Sequence, residues 1–196
     1  MKMFIQLGLI LLAFCVVATA LLAYVNTLTK PKIEAILIEE AQAAREGLIP
    51  NADFEEVNAA ITYYIARDKA TKEVIGYTFT AEKIGYNGLV KTMAAVDKNF
   101  QLINIKIVQQ TETPGLGTNS TKPAFTDQFK GKNAEQLIVD KDGGVPPNMI
   151  KALTGATITS RAVVSSLKEQ ILLLQQDIQN KPESAAPSVA TEGGKP

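Results

Sequence analysis

The chain has 196 residues, with 20 basic and 20 acidic side chains and no histidine. A formal net charge of zero gives no electrostatic reason to expect a nucleic-acid partner, and the missing imidazole removes the commonest general base and metal ligand. The single cysteine, Cys15, excludes an internal disulfide, a CxxC pair and a cysteine-ligated cluster, so any redox chemistry would need a bound cofactor.

Residues 3–29 carry no charge, and residues 4–25 are dominated by Leu, Ile, Val, Ala and Phe. That exceeds the roughly 20 residues a helix needs to cross a bilayer. Ala18-Thr19-Ala20 would fit a signal-peptide cleavage site behind Lys2. The apolar run continues unbroken through residues 21–25, however, which favours an anchor over residues 1–29, solvated by membrane lipid. Lys2 on one side and Lys30 and Lys32 on the other nearly balance the positive-inside rule. A short N-terminal arm that stays inside would put the bulk of the chain outside.

Pro31, with Thr29 as a cap, marks a fresh helix start. Residues 32–46 read as that second helix, with Ile33, Ile36, Leu37 and Ala41 on one face and Gly47 and Pro50 closing it. Strands follow. Residues 60–66 are β-branched and aromatic, and residues 73–81 contain Val74, Ile75, Tyr77 and Phe79. Residues 89–96 and 102–108 flank the turn signal Asp97-Lys98-Asn99 and read as a hairpin, and Asp68-Lys69 marks a second.

Thr111-Glu112-Thr113-Pro114-Gly115-Leu116-Gly117 stands at the end of the last strand. Pro114 and Gly115 favour a tight turn, and Gly115 and Gly117 allow positive φ and close backbone approach. Such a turn could present N–H groups to the edge of a planar ring while Leu116 packs on its face. An ordinary Pro-Gly turn has the same composition. Residues 109–132 are otherwise polar and irregular. Gly143-Gly144 and Pro146-Pro147 interrupt the next region, and Asn148 can cap a short helix over residues 149–153.

Thr154-Gly155-Ala156-Thr157-Ile158-Thr159-Ser160 packs four hydroxyls around a Gly-Ala pair. It runs into a helical segment, residues 161–179, where Val163, Val164, Leu167, Ile171, Leu174 and Ile178 recur at spacings of three and four. Hydroxyls at a helix start are natural caps. The unpaired N–H groups of the first turn, with the helix dipole, also make an anion site. No His, acid or Cys stands beside these hydroxyls in sequence, which favours a hydroxyl that holds a phosphate over one that attacks a substrate. The tail, residues 182–196, is rich in Pro, Ser, Ala and Gly and reads as disordered. Several strands with helices segregated at both ends give an α+β domain with a largely antiparallel sheet over residues 30–181.

Thr154, Gly155, Ala156, Thr157 and Thr159 resemble the flavinylation pattern [Ser/Thr]-Gly-Ala-[Ser/Thr]-x-[Ser/Thr] of FMN-binding domains. Lys151 stands where that family usually has an acid. Glu112-Thr113-Pro114-Gly115-Leu116-Gly117 is similar to the family's ETPGLG element. Gly85-Tyr86-Asn87-Gly88, and Phe125 with Gln128-Phe129-Lys130-Gly131-Lys132, match further family stretches in order. The likeness leans towards the G subunits of Rnf ion-translocating ferredoxin:NAD+ oxidoreductases, with the C subunits of Na+-translocating NADH:quinone reductases as near relatives.

The resemblance implies FMN joined by a phosphoester to Thr159, or next to Thr157, with Ser160 beside them, and attached by a separate flavin transferase. It also implies a flavin pocket between the Glu112–Gly117 turn and the last helix. The chain would be an electron carrier among other membrane subunits, with its domain on the outer face and no catalytic residue or metal site of its own. A stand-alone anchored FMN reductase, the equivalent subunit of the quinone reductase, and a non-redox anchored module binding an unlinked anion are the alternatives.

Overall fold

The computed structural model of the chain describes residues 2–143 and 149–180. It divides between Ala43 and Ala44 into two units. Both the expected 182–196 tail and the Asn148 cap lie outside the described residues.

The first unit is formed by helix α1, Lys2–Leu48, whose last turn belongs to the second unit. Every large apolar side chain from Met3 to Ile38 on this helix is at least half exposed. Among the described residues α1 is the one helix long and apolar enough to cross a membrane. The helix does not break and restart at Pro31, as the sequence led us to expect; Pro31 lies inside it. The Thr27 and Thr29 hydroxyls donate back to the carbonyls of Tyr24 and Val25, at 2.7 and 2.8 Å. Thr29 is therefore spent on the preceding turn and caps nothing new. Pro31 costs the helix one backbone hydrogen bond, and the helix still continues through it to Leu48.

In the second unit α1 ends at Leu48, where the Ile49 N–H reaches the Arg45 carbonyl at 2.9 Å and Asn51 turns the chain at φ 60°. Five strands follow as a meander, each antiparallel to the next: β1 Ala52–Asn58, β2 Thr62–Asp68, β3 Val74–Ile84, β4 Leu89–Asp97 and β5 Leu102–Gln109. Four match the sequence reading to within a few residues, and the β2–β3 and β4–β5 hairpins turn where expected. The first, Ala-Asp-Phe-Glu-Glu-Val-Asn, was not foreseen. It is an edge strand with mostly exposed, charged positions, so it carries no apolar alternation to read.

The α+β assignment holds. One face of the sheet is covered by α3, Thr157–Asn180, which packs mainly on β3 and β4. Its expected stripe is buried: Val163, Val164, Leu167, Ile171 and Leu174 are at most 4% exposed, against Phe79, Val90, Ala94 and Val96 of the sheet. Burying each such side chain contributes roughly 1.5–3 kcal/mol. Between β5 and α3 the described residues make short 3-10 turns and one four-residue helix, α2, Pro123–Thr126. This stretch supplies Phe125 and Phe129, stacked edge to face and fully buried.

The short helix expected over residues 149–153 does not form. Ile150 pairs in parallel with Val139, with Ile150 N–H to Ile138 O at 2.7 Å and Asp140 N–H to Ile150 O at 3.0 Å. The Lys151 N–H reaches Gln128 Oε1 at 2.8 Å, and the Ala152 N–H reaches Asp140 Oδ1 at 3.0 Å. These non-local partners take the backbone groups a helix would have used.

Candidate functional site

The segment after Ile150 has no regular structure through Leu153, where the Ala156 N–H returns to the Leu153 carbonyl at 3.0 Å. Gly155 sits in this turn at φ +75°, a conformation other residues rarely adopt. Helix α3 then begins at Thr157, inside the hydroxyl cluster rather than after it. The hydroxyls divide their tasks. Ser160 Oγ accepts from the Leu153 N–H at 3.0 Å and donates to the Ala156 carbonyl at 3.1 Å, which locks the turn to the helix. Thr154 is exposed and Thr157 is half-buried, whereas Thr159 and Ser160 are wholly buried.

Thr159 is not without an acid. Its Oγ1 donates to Glu112 Oε2 at 2.7 Å, across 47 positions of sequence. This corrects the expectation that no titratable group stands beside the hydroxyls. That elimination holds along the chain but fails in space. Glu112 is itself 4% exposed, and its other oxygen accepts the Asn87 N–H at 3.1 Å. The turn around it is tied by its own side chains. The Gly115 N–H reaches Thr118 Oγ1 at 3.0 Å, Asn119 Nδ2 reaches the Gly115 carbonyl at 2.6 Å, and the Leu116 N–H reaches the Thr113 carbonyl at 3.1 Å.

Glycines make room for this acid. A Cβ on Gly117 would stand 2.6 Å from Glu112 Oε2 and 2.9 Å from Thr159 Oγ1. One on Gly85 would strike Glu112 Oε1. Gly115 has the expected positive φ, at +79°, but Gly117 does not; it is needed for close approach alone. Leu116 is 43% exposed, and its Cδ2 lies 3.1 Å from where a Gly155 Cβ would be. The Glu112–Gly117 turn and the Thr154–Ser160 stretch therefore meet, as expected, with Thr113 exposed at the rim.

Three contributors were not among the candidates: Gly85, Asn87 and Gly88 of the β3–β4 turn. Asn87 Nδ2 donates to the Thr111 carbonyl at 2.7 Å, and a Cβ on Gly88 would strike Thr111 Oγ1. Two glycines flanking Tyr-Asn were the only sequence signal. Arg161 and Asp142 were missed as well. The guanidinium forks onto the carboxylate, with Nε 2.9 and 2.8 Å from its two oxygens. Hydrogen bonding to Arg161 holds the Asp142 carboxyl below its ordinary value, and the same bond raises Arg161. An open surface concavity of about 340 Å³ lies apart from this convergence, lined by Ile107, Val108, Gln109, Gln110 and Thr121. It holds neither the acid nor the hydroxyls.

Residues 85–171, which contain every group just described, match the model of the FMN-binding domain. Residues 1–46 match that of the RnfG N-terminal region. The chain is 37% identical over 158 residues to the G subunit of the proton-translocating ferredoxin:NAD(+) oxidoreductase complex of Clostridium ljungdahlii, covering 80% of this chain and 84% of that one. It is 35% identical to the Na(+)-translocating counterpart of Acetobacterium woodii, covering 89% and 93%. It is 31% identical to the G subunit of an ion-translocating oxidoreductase complex of Methanosarcina acetivorans, covering 79% and 86%. The fold is similar to the crystal structure of Shewanella oneidensis NqrC, with a TM-score of 0.51 at 20% identity over 62% of each chain. It is equally similar, at TM-score 0.51 and 22% identity, to the C subunit of the Na(+)-translocating NADH-quinone reductase of Parabacteroides distasonis, over 62% of this chain and 64% of that one. The likeness thus spans less than two thirds of either solved chain.

Proposed function

This chain belongs to the G-subunit family of ion-translocating ferredoxin:NAD+ oxidoreductase (Rnf) complexes, and from that membership we propose that it carries FMN as a covalent phosphoester on Thr159, with Thr157 as the runner-up. It is an FMN-binding electron-transfer component of a membrane-anchored complex. The observation that supports the attachment reading is the place of Thr159 in the first turn of α3, where N–H groups and the helix dipole favour a phosphate, with its hydroxyl donating a hydrogen bond to Glu112. Thr157, the half-buried residue that opens α3, is the runner-up.

The residues fit the group. Gly85 and Gly117 leave room for Glu112 beside the Thr159 hydroxyl, and exposed Leu116 and Ile158 offer apolar cover for a planar ring. When bound, FMN supplies one- and two-electron redox chemistry that no side chain of this protein can. Attachment forms one P–O bond from the threonine oxygen to the FMN phosphorus and breaks the phosphoanhydride of an activated flavin dinucleotide. A nucleoside monophosphate leaves, the hydroxyl proton passes to solvent, and no electrons change hands. A flavin transferase performs this step. The domain then faces the outer side of the membrane on a single span solvated by lipid, where a tether prevents loss of the cofactor.

The test is denaturing electrophoresis followed by peptide mapping. Wild type should fluoresce in the band, with the FMN mass on Thr159; FMN on Thr157 would make the runner-up the acceptor. Thr159→Ala should abolish the label while leaving the domain folded. A dark wild-type band would refute covalent attachment and favour a non-redox anion-binding module. Co-purification with other integral subunits tests the complex against a stand-alone reductase.

A further inference from the structure

We infer that one face of helix α1 docks along its length on a transmembrane helix of another subunit, one that itself continues past the bilayer; the inference rests on the place in a membrane complex argued above. An α-helix turns by about 100° per residue. On that count Gly8, Cys15, Thr19, Ala23 and Asn26 share one arc about 80° wide, with Leu12 the large residue among them. The opposite arc carries Ile10, Phe14, Val17, Leu21 and Leu28. Lipid does not drive apolar side chains together, so helices in a bilayer meet through small and polar residues. Around Cys15, Val16, Thr19, Ala20 and Ala23 the surface of α1 has a shallow notch of about 420 Å³, room for a ridge of a facing helix. The Thr19 hydroxyl donates to the Cys15 carbonyl at 2.7 Å. The exposed Asn26 amide has no hydrogen bond among the described residues, and in an apolar segment such a group needs a partner.

Past Thr29 charged residues return and the two arcs exchange character. The first becomes Lys30, Ile33, Leu37 and Ala41; the opposite one becomes Lys32, Ala35 and Glu39. Ile33 and Leu37 are 50% and 53% exposed. In water the apolar side of a helix is the side that is covered. One arc is therefore the covered face in both solvents, small and polar within the apolar span and apolar beyond it. From Gly8 to Ala41 it runs about 50 Å at 1.5 Å per residue, whereas the hydrocarbon core is about 30 Å thick. Lipid does not cover Ile33 and Leu37, and a soluble partner does not reach Thr19. A helix that crosses the bilayer and emerges from it follows the whole arc. Charge argues against a second copy of this chain. A parallel pair would set Lys30 of the arc against its own copy, a like-charge contact that Glu34 at 3.9 Å only partly offsets. A different subunit carries no such constraint.

The experiment uses the full-length chain in cells that make the whole complex. A photo-cross-linking phenylalanine analogue replaces Thr19, Ile33 or Leu37 on the arc, and Val17, Ala35 or Glu39 opposite it. After irradiation, an affinity tag on this chain recovers the adducts and mass spectrometry identifies them. The arc positions should cross-link to another integral subunit, and the opposite positions should not. In separate cells, Leu37→Glu should lower the yield of co-purified integral subunits about tenfold after mild detergent extraction, the loss expected when one leucine leaves an apolar contact. Ala35→Glu places the same charge on the other arc and should leave that yield unchanged. Both positions lie beyond the apolar span, so both variants should still sediment with membranes. Equal cross-linking from the two arcs overturns the docking face. So do adducts confined to a second copy, to the chain itself or to lipid, and so does a Leu37→Glu yield equal to that of Ala35→Glu. A wild-type chain that recovers no other integral subunit, by tag or by cross-link, overturns the place in a complex and the docking face with it; flavin in the band is untouched by either result.

Discussion

Helix α1 and the domain that follows are both rich in leucine, isoleucine and valine, yet they treat those side chains in opposite ways. On α1, Leu11 and Leu22 are 66% and 70% exposed; in the domain, Leu102, Leu167 and Leu174 are 0–1% exposed. Apolar surface on that scale is not left to water, so the two regions are built for two solvents. One buries its apolar groups in itself and the other in lipid. The same contrast recurs on a smaller scale among polar pairs. Glu112–Thr159 is enclosed, whereas Asp142–Arg161 stands at the surface with 39% and 49% of its side chains exposed.

Deleting residues 2–43 gives the sharpest break of the comparison. The remaining chain keeps its entire core, so we expect it to move wholly from the membrane to the soluble fraction in cell fractionation and to melt cooperatively. Aggregation of this fragment would mean that the domain needs the helix. Next in size, Leu167→Ala should destabilise the domain by about 2–5 kcal/mol in chemical denaturation, as other buried Leu→Ala changes do, while the full-length protein still sediments with membranes. Gly117→Ala follows. Its methyl must displace Glu112, so a loss of about 1–3 kcal/mol is expected, with a slower rate of flavin attachment. Normal attachment in that variant would separate the acid from the site.

The smallest effect belongs to Asp142→Asn. Because Arg161 lowers the folded-state pKa of Asp142, this pair contributes stability above the ordinary carboxylate pKa and loses it as pH falls through the lowered one. The variant should therefore match wild type in the shape of its stability profile at neutral pH and flatten part of the acid limb below about pH 4. High salt should erase the difference, since the pair is exposed. An acid limb identical to wild type at low salt would show that the fork is energetically idle.

What could be read from sequence divides along local and non-local lines. The α3 stripe, the apolar span and the Asp97-Lys98-Asn99 hairpin are periodic or local signals, and each was recovered. Strand β1 was invisible because Glu55 and Glu56 sit in an edge strand where no alternation is required. Pro31 misled because an interior proline removes one backbone hydrogen bond, a cost that a helix of 47 residues carries without ending. Residues 149–153 misled because their partners, Ile138, Asp140 and Gln128, lie 10 or more positions away. At the site, the turn and the hydroxyl cluster were each legible. Their meeting through Glu112 and Thr159 was not, since no spacing rule links positions 47 apart.

The order of the sheet carries a consequence in time. Each strand of the meander pairs only with its sequence neighbour, so the sheet can grow hairpin by hairpin at small loop-closure cost. Helix α3 comes last among the described elements, and the acid at position 112 finds its hydroxyl only when that helix docks. On the covalent reading proposed above, the acceptor hydroxyl thus takes its final place after the rest of the domain exists. A full-length chain in which Leu167→Ala and Leu174→Ala loosen the docking of α3 should show a protected sheet by hydrogen exchange and accept flavin slowly, which would make cofactor loading a check that the last helix has docked.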